Sequence, residues 1–217
     1  MKRTVGLFLI ICMVFLLSAC AENMNSQEAE TGSSVSQTAA EAAENEMSDS
    51  ENSEEPDNTA DDVKAKLLYM GQASIRITTI EGKVIYIDPY VGDGYEPAAD
   101  LVLVTHSHYD HNGVDKVANR NPDCRIITWK EALENGEHQT FDVGYATVEA
   151  VEAGYNRWHD VRECVGYIVT LSDGVSVYVT GDTSKTEQMP LLAEKNIDYA
   201  FYCCDGIFNM DLDEAAE

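Results

Sequence analysis

Three of the five histidines in this 217-residue chain fall inside one hexapeptide, residues 106–111, HSHYDH. Residues 101–105, LVLVT, lead into it as a short apolar, β-branched-rich run, which reads as a buried strand. In extended chain, residues i and i+2 point the same way, so His106 and His108 can reach one ion together. Tyr109 breaks the alternation. Asp110 and His111 come next, and Asn112-Gly113 supplies the turn that swings them toward a neighbouring point. Neutral imidazole and carboxylate suit Zn²⁺, and also Mn²⁺ or Fe²⁺. The segment therefore reads as a loop that shares its ligands between two ions, in preference to a polar loop with chance histidines.

The elements that must position this loop can be read around it. Strands are expected over 66–70, 73–79 and 83–87, with Glu81-Gly82 turning the second into the third. Asp88-Pro89 closes the third strand, and an aspartate there is an ordinary turn former. Beyond the loop come a short helix over 114–119, a strand over 125–129 and a helical turn over 130–135 that Gly136 stops. Strands follow at Phe141 and over 145–151. Residues 153–165 form a polar loop that holds His159, whereas His138 reads as a surface histidine. A hairpin is expected over 165–171 and 175–180, turning at Ser172-Asp173-Gly174. Gly181-Asp182-Thr183 follows at once, so a second strand ends in a carboxylate, as the first ends in histidines. Ligands at several strand ends along one sheet edge are a common way to build a site. A helix over 187–196 and a strand over 198–203 complete the series.

The segment THSHYDH resembles the HxHxDH motif of the metallo-β-lactamase fold hydrolases, and Gly181-Asp182-Thr183 agrees with it. The resemblance covers about residues 65–217. It implies an α+β fold, the αββα four-layer sandwich of two mixed sheets with helices outside. It implies that His106, His108 and His159 hold one ion, that Asp110 and His111 contribute to a second, and that Asp182 lies between the two. It suggests that Asp88 supports the metal loop from behind, a role compatible with a turn former. IDPY, the AGYN block with its VYVTGDT end, and the segment after NIDYAF look most like the branch of L-ascorbate-6-phosphate lactonase-like and phospholipase-D-like enzymes. The expected chemistry is attack by a metal-bound hydroxide on a small-molecule ester, lactone or phosphodiester, with Asp110 orienting the nucleophile. Zinc is the default ion. The rival reading is a non-catalytic metal-binding surface lipoprotein, or a degenerate member of the family.

The ends of the chain carry separate information. The formal net charge is −25, and residues 21–62 hold 13 acidic and no basic side chains. An acidic domain without a basic stripe argues against a nucleic-acid partner. Residues 1–20 combine a basic start, a short apolar run and Leu17-Ser18-Ala19-Cys20, which resembles a bacterial lipobox. The expectation is a lipoprotein signal with Cys20 as the lipidated residue, anchored at the outer face of the cell membrane; the plainer reading is an ordinary export signal. Residues 21–62 read as a disordered acidic tether and residues 63–217 as the folded domain. Cys124, Cys164, Cys203 and Cys204 are not spaced as a disulfide framework. Asp211 and Glu214 form a capping-box pattern that opens a helix near the last residue. In the family that helix is followed by another strand and a late histidine. The resemblance therefore implies a domain lacking its C-terminal part, with a weakened second ion site and an open sheet edge.

Overall fold

In the computed structural model the described residues are 64–217. The expected export signal, Cys20 and the expected acidic tether lie outside them. Two five-stranded sheets carry the fold. The first runs β1 (Lys66–Gly71), β2 (Ser74–Thr78), β3 (Val84–Ile87), β4 (Ala99–Leu103) and β5 (Arg120–Ile127) in that spatial order. Its first two pairings are antiparallel and its last two parallel. The second sheet contains β6 (Thr140–Asp142), β7 (Ala146–Glu152), β8 (Val165–Leu171), β9 (Ser176–Val179) and β10 (Tyr199–Phe201), in the order β10-β9-β8-β7-β6. Only the β10–β9 pair is parallel there. Both sheets are thus mixed, as expected.

Strand alternation explains why the sheets face each other. Ile75, Ile77, Ile85, Ile87, Leu101 and Leu103 of the first sheet share one core with Val148, Tyr167, Val169, Val177 and Val179 of the second. The intervening residues face outward into two smaller clusters. Val84, Tyr86 and Val102 pack with Val117 on one side, and Ile168 and Tyr178 pack with Leu192 on the other. Strands buried on both faces read as unbroken apolar runs, which is why 101–105 stood out in the sequence. Burying one such side chain stabilises the fold by about 1.5–3 kcal/mol.

The outer layers are thinner than the sequence suggests. The helix expected over 114–119 is a single 3₁₀ turn, Val114–Lys116, without a side-chain cap. The chain must already be extended at Arg120, which pairs with Ala99. β5 accordingly begins five residues before the expected 125. Asn121, Pro122 and Asp123 hid it, because they are turn formers; an edge strand tolerates them. The helix expected over 187–196 is a 3₁₀ segment, Met189–Lys195, with Pro190 in its first turn and Asn196 in a left-handed conformation at its end. Proline removes an amide donor there, and no side chain caps the start. Among the described residues the α-helices are α1 (Trp129–Ala132) and α2 (Leu212–Ala216). Both open with a complete capping box, Thr128 with Glu131 and Asp211 with Glu214.

The two sheets are joined at the edge where β4 ends. The Val165 amide donates to the Thr105 carbonyl (2.9 Å), and the Tyr167 hydroxyl donates to the Val104 carbonyl (3.0 Å). An isolated bridge pairs His106 with Cys164. The HSHYDH loop therefore leaves the first sheet and lies against the second, where Asp182 follows β9.

Candidate metal centre

Four histidines and one carboxylate converge at this junction. His106, His108 and His159 offer ligand atoms within 4.8 Å of one another, and so do His106, His111 and Asp182. The His106 ring centroid lies 4.6 Å from that of His108, 4.1 Å from His111 and 5.2 Å from His159. His108 alone of the four is exposed; the others are buried. The first group thus opens to solvent and the second is enclosed.

Each buried imidazole is fixed in a tautomer by what its Nδ1 meets. His111 Nδ1 lies 2.8 Å from Asp88 Oδ2. A carboxylate only accepts, so Nδ1 carries a proton and Nε2 is the nitrogen left for an ion. The Thr105 hydroxyl donates its single proton to the same Asp88 Oδ2 (2.6 Å). It must therefore accept from His106 Nδ1, 3.0 Å away. His159 Nδ1 lies 3.2 Å from the amide oxygen of Asn156, again an acceptor. With an ion bound, all three rings would keep a proton on Nδ1 and turn a free Nε2 lone pair inward. His106 Nε2 and His111 Nε2 are buried with no hydrogen-bond partner. Buried polar atoms are rarely left so, and a metal ion is the partner that such lone pairs fit.

Asp88 organises this from behind. It is fully buried and sits at φ +45°, a conformation non-glycine residues rarely adopt. Its Oδ1 accepts from the Thr105 amide at 2.8 Å. The Ser74 hydroxyl donates to its carbonyl at 2.8 Å.

Asp182 spans the two groups. Its Oδ2 is 3.2 Å from His159 Nε2 and its Oδ1 is 3.4 Å from His111 Nε2. Two ligand atoms each about 2.0–2.1 Å from a tetrahedral ion lie about 3.3 Å apart. The spacing thus fits one ion on each side of the carboxylate. Gly181 is required just before it. Its φ is +62°, and a Cβ there would stand 2.8 Å from the Val165 carbonyl oxygen and 2.9 Å from Thr105 Cβ. Only glycine lets the end of β9 come this close to the metal loop.

The electrostatics agree with this division. Burial, aided by neighbouring His111, pushes His106 down to about 2, so it is neutral. Burial also lowers His108, with His159 beside it. Burial works against a charge on His111 too, but Asp88 and Asp182 outweigh it and raise that group to about 9. Burial would raise Asp182, yet the His159 hydrogen bond and the charges of His111 and His106 hold it well below the usual carboxylate range. Without an ion, the positive charge of the cluster rests on His111, between two carboxylates.

Comparison with known proteins places this arrangement. The family described as the beta-lactamase superfamily domain matches residues 66–217. The chain belongs to that superfamily. A UPF0173 metal-dependent hydrolase of Cupriavidus necator is 30% identical over 196 residues, with 70% of this chain and 68% of that protein covered. Another from Anaeromyxobacter dehalogenans is 27% identical over 189 residues, covering 70% and 69%. A crystal structure of a protein from Parabacteroides distasonis superposes with a TM-score of 0.59 at 26% identity, covering 70% of this chain and 75% of that one. With this fold and these relatives, the chain is a metal-dependent hydrolase of the beta-lactamase superfamily.

Within this superfamily member the ligands group differently from the sequence expectation at one point. Asp110 stands outside both groups. Its Oδ2 accepts from Gln72 Nε2 at 2.9 Å, and its carbonyl receives the same amide at 3.3 Å. Gln72 sits at φ +49° in the turn between β1 and β2. His106 is the third residue of the group that contains His111 and Asp182. Asp88 lies behind the loop, bonded to Thr105 and His111. Four residues around the centre went unread in the sequence: Thr105, Asn156, Gln72 and Cys203. Cys203 Sγ lies 2.8 Å from Asp182 Oδ1; burial and that carboxylate keep its thiol well above the ordinary range. Asn156 carried a faint signal, since an Asn three residues before a ligand can form an Asx turn.

Proposed function

We propose that this chain is a lipid-anchored hydrolase at the outer face of the cell membrane that cleaves a small-molecule ester, lactone or phosphodiester at a two-ion centre. The observation that carries the reading is the convergence of buried, unpartnered imidazole nitrogens on one bridging carboxylate. His106, His108, His159 and Asp182 Oδ2 would hold the first ion. His111 and Asp182 Oδ1 would hold the second; His106 has one free lone pair and serves only the first, so the first ion is the tighter. The donor set suits zinc first, with manganese and iron as alternatives. Bound ions would make water nucleophilic near neutral pH and polarise the substrate oxygen.

The chain's own residues do the rest. Thr105, Asp88 and Asn156 keep three imidazoles in the ligating tautomer. Gln72 holds Asp110 beside His108 and His111, where its carboxylate can orient the nucleophile and take up its proton. Trp158 and Phe208 stack edge to face at 5.4 Å, next in sequence to His159 and to Asn209. Their exposure, 46% and 40%, offers an apolar wall to a substrate at the open first group.

The test is turnover. Zinc-loaded protein should hydrolyse at least one of three reporters, an aryl ester, a lactone and an aryl phosphodiester, and a chelator should abolish it. Metal binding without turnover would favour the rival, a metal-binding surface lipoprotein. Anchoring rests on the LSAC pattern. Cys20→Ala should remove fatty-acid labelling of the protein in cells, and unchanged labelling would refute the anchor.

A further inference from the structure

Cys203 lies two residues beyond β10 and is 4% exposed. Its Sγ stands 2.8 Å from Asp182 Oδ1. An ionised carboxylate has no proton to give, so the thiol donates. The sulfur in turn accepts from Asn209 Nδ2 at 3.1 Å. The same amide nitrogen donates its other hydrogen to Asp205 Oδ2 at 2.7 Å. Asp205 Oδ1 accepts the Ile207 and Phe208 amides, both at 2.7 Å. A buried polar relay thus runs from the 205–209 turn through Asn209 and Cys203 to one oxygen of Asp182.

That oxygen is the informative one. Oδ1 faces His111 Nε2, the buried nitrogen without a hydrogen-bond partner, at 3.4 Å. Oδ2 faces His159 instead. The thiol therefore contacts only the half of the carboxylate that serves the second group. We propose that Cys203 is a positioning residue for the second ion, donating to Asp182 Oδ1 and fixing the carboxylate so that its two oxygens address different ions. This rests on the two-ion reading above. Without the thiol, Asp182 is free to rotate and to offer both oxygens to the first ion, which has the larger set of imidazoles. Residues that orient a ligand in this way alter metal affinity by about 10- to 100-fold.

The experiment titrates cobalt and zinc into metal-free full-length protein, comparing wild type with Cys203→Ala, Cys203→Ser and Asn209→Ala. Two ions of unequal affinity are expected in wild type. Cys203→Ala should weaken the second by about 10- to 100-fold and leave the first unchanged. Cys203→Ser restores a donor and should recover most of that loss. Asn209→Ala, which keeps the thiol but loosens it, should weaken the same ion to a smaller degree. The cobalt spectrum should lack a thiolate-to-cobalt charge-transfer band. Unchanged affinities in the alanine variant would overturn the proposal. So would equal weakening of both ions alongside a lowered Tm, which is the mark of lost packing, and so would a charge-transfer band, which would make Cys203 a ligand. A wild-type protein that binds a single ion would overturn the two-ion reading, and the proposal with it. Should Cys203→Ala fail to fold, the serine and Asn209 variants still decide: both must spare the first ion.

Discussion

Replacing Asp88 with asparagine removes one charge and one acceptor at the hidden centre of the metal loop. The Asp88 carboxylate accepts three hydrogen bonds: from the Thr105 amide at 2.8 Å, the Thr105 hydroxyl at 2.6 Å and His111 Nδ1 at 2.8 Å. An amide can satisfy only part of this. If its oxygen takes the Oδ2 place, its NH₂ confronts the Thr105 amide, donor against donor. If its oxygen takes the Oδ1 place, the NH₂ confronts His111 Nδ1 and the threonine hydroxyl. His111 must then move its proton to Nε2, which ends its service as a ligand. Either way a buried donor is left unpaired, at a cost of about 1–3 kcal/mol. For a domain of this size each kcal/mol lowers Tm by about 2–4 °C, so a drop of about 2–12 °C is expected for the metal-free protein. Metal affinity should fall by about 10- to 100-fold, since the orienting partner of His111 is lost and Thr105 no longer holds His106. Calorimetry gives the first number and competition with a chelating dye the second. An Asp88→Asn protein that binds metal as tightly as wild type would refute the tautomer argument, whatever its Tm.

Gly181→Ala should cost about 1–3 kcal/mol and lower metal affinity, because the positive φ and the contacts at 2.8 and 2.9 Å leave no room for a Cβ; urea unfolding at wild-type stability would contradict this. Metal uptake should release a proton from His111 below pH about 9 and should tighten as pH rises to that point, since only neutral imidazole ligates; affinity independent of pH between 7 and 9 would count against it. In the metal-free chain the raised His111 contributes stability that is fully present below its unfolded value of 6.5 and lost as pH rises through about 9, so Tm of the metal-free protein should fall over that window. Trp158→Ala should change stability by no more than about 1 kcal/mol yet raise KM for esters with aromatic or long acyl groups while sparing acetyl esters; equal effects on both would remove the apolar wall from the account.

The parts of the centre that lay in the sequence are those encoded by adjacency. HSHYDH on the end of an apolar strand and Asp182 on the end of another announce themselves, because strand ends along one edge gather whatever residues they carry. His159 was placed by resemblance alone, since its loop has no periodicity; its own turn is made by Asn156, whose oxygen meets the amides of Trp158 and His159 at 2.9 and 3.0 Å. Gln72, Thr105 and Cys203 could not be found by spacing. Gln72 reaches Asp110 across 38 residues, and Cys203 reaches Asp182 across 21, so their roles exist only once the strands are stacked in order. The sheets were legible for the opposite reason, since alternation is local and repeated. Helices were overestimated at 114–119 and 187–196, where composition favoured a helix and the demands of Arg120 pairing and Pro190 decided otherwise.

The central claim is that the HSHYDH loop, His159 and Asp182 bind the metal that makes this chain a hydrolase. Counting ions directly tests it. Wild-type protein, loaded with zinc and separated from free metal, should carry at least one ion per chain by mass spectrometry. The His106→Ala, His108→Ala double variant should carry none while keeping the far-ultraviolet circular dichroism of the folded domain. A double variant that retains the wild-type load would mean that the metal is held elsewhere, and the account would be wrong at its core.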